Sequence, residues 1–364
     1  MNVDDQGYGG VFAFVMNVIR NIDHDKFLLD IAAFEPFEKE GHEKTIRQYG
    51  SMVYDCQGHG NFLIKQLCTC VKFYHLLKKN KYHAIHVHSD VAYKLLLYSL
   101  IGRFAGVANV IVHSHSTGVE GRYRCLKKFL QAVSKPILSM QKSKKLACSN
   151  LAANWMYTKK CQYFVVRNGI EIEKFRYSKE RYTAARKKLG ISLADKVVGT
   201  VARFSFPKYP EKLLDVFYKV VSIDESFKLL WVGTGPLLEK IKLQAREYGI
   251  EDKIIFYGNT DKVEDMYQAM DVFVLTSRFE GLCIAAVEAQ ASGCQCICSD
   301  SLPKEVNLSS LYHTLSIEEL DEVWAKEILK CISIHRYDTS NEIVQNGYDI
   351  QQTVNVLMDI YSSY

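Results

Sequence analysis

Apolar positions along this chain keep two periods, and the two alternate from end to end. Helical spacing fills residues 11–22, 63–80 and 91–104, while short apolar runs at 28–34, 84–88, 110–115, 145–148 and 163–166 fit strands. The turn Asn168-Gly169 closes this first series. A polar, charged stretch from Glu171 to Leu189 follows, helix-forming over 181–189. A second series then begins: strand 196–201, helix 210–221, strand 228–232, helix 236–248, strand 254–257, helix 263–269, strand 272–275, helix 284–291 and strand 295–299. Strands alternating with helices predict parallel sheets covered on both faces, so the expected fold class is α/β, with two doubly wound Rossmann-like domains. The expected division is 1–175, 176–346, and a C-terminal helix within 347–364 that crosses back to the first domain. Ligands of such sheets bind at the carboxyl ends of the strands, which makes the interdomain cleft the expected site.

With 364 residues, 48% of them hydrophobic, the chain can bury two cores of ordinary domain size. The most apolar stretch, 91–101, is too short for a bilayer span and contains Lys94, and no charged-then-apolar signal segment is seen, so a cytoplasmic protein is expected. The 11 cysteines are odd in number and sit mostly in apolar runs, which favours reduced core thiols. Cys294, Cys296 and Cys298 alternate along one short strand without a histidine or fourth cysteine at finger spacing, and Cys68 with Cys70 is no better placed; no metal is expected at either.

Charge changes the picture more. The net charge is +5, yet residues 1–180 carry +11 and the remainder −6. Most of the asymmetry comes from the stretch between Arg103 and Lys145, where Arg103, Arg122, Arg124, Lys127, Lys128, Lys135, Lys142, Lys144 and Lys145 face Glu120 alone. Leu126, Phe129, Leu130, Val133, Ile137 and Leu138 interleave with them at helical spacing. A solvated helix face and a surface for anionic lipid head groups are the two readings; no nucleic-acid module accompanies the stretch, so nucleic acid is not an expected partner. The start of the chain is unusual, because Gly7-Tyr-Gly-Gly10 and an apolar helix follow only Met1-Asn-Val3 and three polar residues. The first strand of a doubly wound domain is central, so the expectation is that an apolar strand belongs upstream of Met1.

The candidate chemistry lies mainly in the second series. Glu280 and Glu288 stand eight apart, in the loop after strand 272–275 and about two turns into helix 284–291. A ligand above that helix start would meet unpaired N–H groups suited to phosphate and carboxylates suited to sugar hydroxyls. Arg203 and Lys208 follow strand 196–201, where two cations can neutralise a diphosphate. Gly233-Thr-Gly235 and Gly258-Asn259 are glycine turns after strands, where missing side chains let backbone approach a ligand.

Taken in order, Arg203…Lys208, Gly233-Thr-Gly-Pro236, Phe256-Tyr-Gly258, Asp271-Val-Phe-Val and Glu280-Gly-Leu…Glu288-Ala-Gln-Ala-Ser-Gly293 resemble the retaining glycosyltransferases of family 4, in the bacterial capsule and exopolysaccharide branch. Gly9-Gly10, His113-Ser-His-Ser116, Ala147-Cys-Ser149, Asn168-Gly-Ile170, Lys174-Phe175 and Trp324-Ala325 fall where that family has similar segments. The resemblance implies a GT-B fold and a nucleoside-diphosphate sugar, UDP-sugar by preference, as donor substrate, with no cofactor and no metal. It implies that Arg203 and Lys208 bind the diphosphate, Glu280 the sugar hydroxyls and Glu288 the ribose, with Gly281 and Leu282 offering backbone N–H groups. Gly233, Gly235, Gly258 and Asn259 would line the donor site, and Gly9 and Gly10 would close over the diphosphate. His115, or His113 on the same strand face, would meet the reacting sugar and acceptor; Ser149 and Asn168 would lie on the acceptor side.

The implied reaction breaks the bond from the anomeric carbon to the diphosphate, with the acceptor attacking on the face from which the leaving group departs and configuration retained. Cations on the departing diphosphate lower that barrier. The acceptor would be lipid-linked or a saccharide in surface polysaccharide synthesis, with the basic stretch as a peripheral membrane contact. The one tidy Asp-x-Asp, Asp23-His-Asp25, lies in a helix-to-strand connection and is not a metal motif in this reading. The chain departs from the family's usual residues at Ala202, Tyr209-Pro210, Thr276 and Cys283. None of these removes a charged group; they bear on which donor fits. Rival readings are a related GT-B enzyme such as a nucleotide-sugar epimerase, and a non-catalytic interaction protein on a decayed scaffold, which would be expected to have lost some of Arg203, Lys208, Glu280 and Glu288. Oligomeric state is not legible.

Overall fold

A computed structural model describes all residues except 4–8, 36–39, 120–123 and 364. The chain forms two compact units, Met1–Gly169 with Ile350–Tyr364, and Ile170–Asp349. The first unit ends ahead of residue 175 because the helical turn Ile172–Phe175 packs on helices Val263–Ala269, Ile284–Ala291 and Ser340–Gln345 of the second.

In the first unit the strands are β1 (Asn2–Val3), β2 (Ile31–Ala33), β3 (Val53–Asp55), β4 (Ala84–Ser89), β5 (Asn109–Ser114), β6 (Lys144–Ala147) and β7 (Phe164–Val165). All pairings are parallel, in the orders β1-β2-β3 and β4-β5-β6-β7. The expected strand at 28–34 contracts to β2, since Leu28 points outward and is exposed. β1 is very short, and the Asn2 side chain continues its work: its amide donates to the His88 carbonyl at 3.0 Å and accepts from the His88 N–H at 2.7 Å. A side chain thereby does what ladder hydrogen bonds do between strands. Helix α1 (Gly10–Asn21) buries Phe12, Phe14, Val15, Met16, Val18 and Ile19, the stripe its spacing predicts. Ile350, Val354, Leu357 and Ile360 of the C-terminal helix Ile350–Ser362 join that cluster, each full burial contributing about 2 kcal/mol.

Helix α2 (Arg124–Met140) reverses the usual pattern. Gln131, Ser134 and Leu138 face inward, while Leu126, Phe129 (64% exposed), Leu130, Val133, Ile137 and Met140 face out. The inward polarity is satisfied: Gln131 accepts from the Ala92 N–H and donates to the Trp155 carbonyl. Arg122 and Glu120 of the basic stretch lie outside the described residues.

The second unit holds one parallel sheet of β8 (Lys196–Val201), β9 (Phe227–Val232), β10 (Ile254–Gly258), β11 (Val272–Leu275), β12 (Gln295–Ser299) and β13 (Tyr312–Leu315), in the order β10-β9-β8-β11-β12-β13. The chain builds outward from β8 on one side and from β11 on the other, so the topological switch point lies between these two strands. The charged segment before β8 is anchored rather than loose: buried Arg186 pairs with Asp271 at 2.5 Å, and Asp271 also accepts from the Val197 N–H, tying the starts of β8 and β11.

Candidate functional site

The loops leaving β8 and β11 at the switch point carry the predicted charges. Lys208 Nζ meets Glu280 Oε1 at 2.5 Å, and the Ser277 hydroxyl donates to the same oxygen at 2.6 Å. The lysine side chain is 23% exposed and the glutamate 11%, so the pair stands at a rim that a ligand can reach. Arg203 is exposed and makes no ion pair among the described residues. Gly281 and Leu282 are buried behind Glu280, and helix α3 (Ile284–Ala291) begins two residues after Leu282.

The unusual residues here depend on one another. Tyr209 adopts a left-handed backbone, φ 49°, between Lys208 and the helix opening at Pro210. The Thr276 hydroxyl donates to the Tyr209 carbonyl at 3.1 Å, a bond no proline at 276 could make. Arg278 lies over the Tyr209 ring at 3.4 Å and donates to the Phe206 carbonyl at 3.1 Å, while its backbone N–H bonds the Pro207 carbonyl. Arg278 and Thr276 therefore clamp the loop that aims Lys208. Cys283 is buried with φ 75°, and burial, with Glu280 nearby, pushes its thiol up to about 12. It is a packed, strained thiol rather than a reactive one.

Glu288 lies one turn into α3, not two, and is buried. Burial raises its carboxyl to about 7, against the lowering effects of the Tyr267 hydroxyl, which donates at 2.9 Å, and of Lys174. Lys174 itself pairs with Glu264 at 3.5 Å.

The glycine turns have a different cause from the one expected. A Cβ on Gly233 would meet the Ala202 carbonyl oxygen at 2.3 Å, and one on Gly235 the Phe204 carbonyl oxygen at 2.5 Å. Both have φ in the left-handed range, +136° and +155°. These glycines let the β9 turn pack on the loop carrying Arg203, with Phe204 N–H donating to the Thr234 carbonyl. Gly258 has φ +78° and open space beside it, and Asn259 is half-buried.

In the first unit, His113 ends up within a block of four imidazoles that includes His86 and His88 of β4 and His115 just past β5. His86 Nε2 lies 3.2 Å from His113 Nδ1, His88 Nδ1 lies 2.9 Å from His115 Nε2, and the Tyr361 hydroxyl is 2.8 Å from His86 Nδ1. The Phe14 ring lies against His88, His113 and His115, with centroid distances of 5.8, 5.3 and 5.5 Å. Burial holds His86, His88 and His113 well below the usual imidazole range and takes His115 down to about 3. Gly9 is the N-cap of α1 and accepts from the Ala13 N–H; Gly10 opens the helix with free space where a Cβ would go. Gly7 lies outside the described residues. Ser149 is buried as an N-cap, accepting from the Ala152 N–H, and Asn168 is buried with its Oδ1 lacking a partner among the described residues.

Among the described residues, two groups bring possible metal-ligating atoms within 4.8 Å of one another: His86, His88 and His113, and His313, Glu327 and Cys331. In the first, His86 Nε2 pairs with His113 Nδ1 and His88 Nδ1 with His115 Nε2, while Nε2 of His88 and of His113 have no partner among the described residues; in the second, His313 already faces Glu327 at 3.1 Å. Asp23 of the Asp-x-Asp is paired with Lys26 at 2.9 Å, and Cys294, Cys296 and Cys298 are buried, free thiols. A cavity of about 530 Å³ lined by Phe27, Leu29, Tyr82, Ile85 and Tyr361 opens at the amino ends of β2 and β4, the end opposite the one where ligands of such sheets bind.

The sequence of residues 182–349, nearly the whole second unit, matches the family model of glycosyl transferases group 1. Over the full length the fold matches that of Anabaena Alr3699/HepE in complex with UDP and glucose, with a TM-score of 0.80 at 17% identity, covering 100% of this chain and 98% of that one. The chain has the GT-B fold, and its second unit carries the match to group 1 of the glycosyl transferases. The chain is 27% identical to EpsF of Bacillus subtilis (strain 168), which bears a glycosyltransferase name, over 97% of its own length and 93% of EpsF. It is 25% identical to the UDP-Gal:alpha-D-GlcNAc-diphosphoundecaprenol alpha-1,3-galactosyltransferase of Escherichia coli, over 82% of its own length and 80% of that enzyme's.

The sequence pattern did not point to Arg278, Tyr267, His86 or His88, and it marked Thr276 only as a departure from the family's usual residue. The histidines left a signal: His86-x-His88 on one predicted strand repeats the spacing of His113-x-His115 on the next. The register, which sets His88 opposite His113, is what turns two spacings into one cluster. Arg278 left none, because its work is done through carbonyls and rings of a loop far away in sequence.

Proposed function

We propose that the protein is a glycosyltransferase that moves a sugar from a UDP-sugar to a lipid-linked or saccharide acceptor in the synthesis of a surface polysaccharide, with retention and without a metal. The observation that carries this reading is the Lys208–Glu280 pair at the switch point, with Arg203 open beside it in the same loop. As the bond between the anomeric carbon and the diphosphate breaks, negative charge grows on the phosphate oxygens, and Lys208 and Arg203 stabilise it. Glu280 orients the sugar through its hydroxyls, and Glu288 accepts from the ribose. His115 serves the reacting sugar and acceptor. The UDP-sugar donor and the diphosphate-lipid acceptor named for the Escherichia coli relative, and the UDP complex of HepE, support the choice of substrates. Retention rests on the resemblance of the Glu280 to Glu288 segment to family 4 enzymes.

The outward face of α2 supports a peripheral membrane contact. Leu126, Phe129, Val133 and Ile137 lie exposed among Arg124, Lys127, Lys128 and Lys135, a surface suited to anionic head groups over an apolar interior. No described helix is long and apolar enough to cross a membrane. Flotation with anionic liposomes checks this part: binding that salt weakens is expected, and no binding at low salt removes it. Thermal shift across a panel of nucleotide sugars checks the donor, since a ligand of the folded state raises the midpoint. A UDP-sugar should give the largest shift, and transfer products from that donor should keep the anomeric configuration by NMR. A panel without any shift contradicts the reading.

A further inference from the structure

The imidazole block poses a hydrogen-bonding question that has one economical answer. Each neutral imidazole carries a single N–H, so in each pair one ring donates and the other accepts. The Nε2 atoms of His88 and His113 are buried and have no hydrogen-bond partner among the described residues. A buried N–H without an acceptor is the rarer kind of orphan in folded proteins, so those two nitrogens are better left as bare lone pairs. The protons of His88 and His113 then sit on Nδ1. His88 Nδ1–H donates to His115 Nε2 at 2.9 Å, and His113 Nδ1–H donates to His86 Nε2 at 3.2 Å. His115, with its Nε2 accepting, carries its own proton on Nδ1.

His88 is well placed to impose this. Its backbone is fastened on both sides by the Asn2 amide and its ring is packed by Phe14 and His86. His115, by contrast, lies beyond the end of β5; its backbone N–H reaches the Ser89 carbonyl at a long 3.4 Å, and it alone of the four is not fully buried. Burial favours the neutral form of all four rings, so the tautomer rather than the charge is what the block sets.

We infer that His88 is a positioning residue for His115, fixing its ring and its tautomer so that His115 presents an Nδ1–H donor to an oxygen of the reacting sugar or acceptor. The inference deepens the proposed function and rests on the role given there to His115. It differs from a packing role because it demands a particular proton position.

The test uses the full chain labelled with 15N histidine, together with His88→Asn and His88→Leu. The Asn amide can donate near the position of the His88 Nδ1–H; Leu cannot. Long-range 1H–15N spectra should show His115 protonated on Nδ1 in the unmodified enzyme and in His88→Asn, and a mixture of tautomers in His88→Leu. With the donor found by thermal shift, kcat should fall about 10- to 100-fold in His88→Leu with little change in donor KM, as expected for an interaction worth about 1–3 kcal/mol, and His88→Asn should restore most of it. An Nε2–H tautomer at His115 in the unmodified enzyme overturns the inference, even if a variant fails to fold. So do equal losses in both variants, or a stoichiometric metal in the purified enzyme, which would take up the ring nitrogens. If spectra show Nδ1–H but no nucleotide sugar is turned over, the positioning stands and the proposed function fails. If Lys208→Ala abolishes turnover while His88→Leu does not lower it, the proposed function stands and the positioning fails.

Discussion

At the switch point of the second unit, a lysine and a glutamate stand paired at a rim that a ligand can reach; on β4 and at the end of β5 in the first, four imidazoles are packed together without a counter-charge among the described residues. The first arrangement keeps charge available. Water screens the pair enough to hold it at modest cost, and a diphosphate can compete for the lysine. The second gives up charge for orientation, because burial keeps every ring neutral and leaves only proton positions to be set. A reaction that expels a diphosphate toward one group and accepts a hydroxyl near another has use for both. On the proposed function, leaving-group stabilisation belongs to the loops after β8 and β11, and geometric control to the histidines.

The largest way to break that assignment is Lys208→Ala. Removing a cation aimed at the developing phosphate charge should lower kcat about 10²- to 10³-fold, while the melting midpoint changes little because the side chain sits at a rim. A change of less than a few fold would erase the contrast between the two clusters.

Next in size is Cys283→Pro. Proline fixes φ near −65°, whereas Cys283 holds φ 75°, so the change should destabilise the second unit by about 2 kcal/mol or more, read by denaturant unfolding. Unchanged stability would mean that this loop does not need its left-handed residue, and that the family's usual proline fits without rearrangement.

The smallest effect sharpens the charge side of the comparison through pH. Glu288 is raised from 4.5 to about 7 in the fold, so the folded protein binds its proton more tightly than the unfolded chain. Its contribution to stability is therefore fullest below about pH 4.5 and is lost as pH rises through about 7. On the role proposed for Glu288, donor binding runs the other way, since the ionised carboxylate is the better acceptor for ribose. Between about pH 6 and pH 8 donor affinity should rise by up to about tenfold, and Glu288→Gln should flatten the profile. A profile as steep in the variant as in the parent would place the titrating group elsewhere.

Legibility in the sequence followed burial. β8, β11 and β12 coincide with the predicted runs because most of their residues are buried, so apolar residues dominate each, without a break in β11. β3 was invisible, since Val53, Tyr54 and Asp55 are half-buried or exposed, and β1 borrows a side chain to reach β4. Lys208 and Glu280 could be paired from sequence by their positions after two strands of one sheet. The clamp on their loop by Arg278 and Thr276 could not, because it is made of carbonyl bonds and a ring contact that no spacing encodes. Gly233 and Gly235 were legible as necessary glycines, but what they make room for is protein backbone. α2 was legible as amphipathic; only the structure gives the direction of its apolar face.

In the proposed function Lys208 holds phosphate and Glu280 holds sugar, and calorimetric titration separates the two. The nucleoside diphosphate and its sugar conjugate are each titrated into the parent, Lys208→Ala and Glu280→Ala. Lys208→Ala should weaken both ligands, whereas Glu280→Ala should weaken the sugar conjugate alone and leave the nucleoside diphosphate bound at least as tightly as before. Equal weakening of both ligands by Glu280→Ala, or parental affinity in Lys208→Ala, would contradict it.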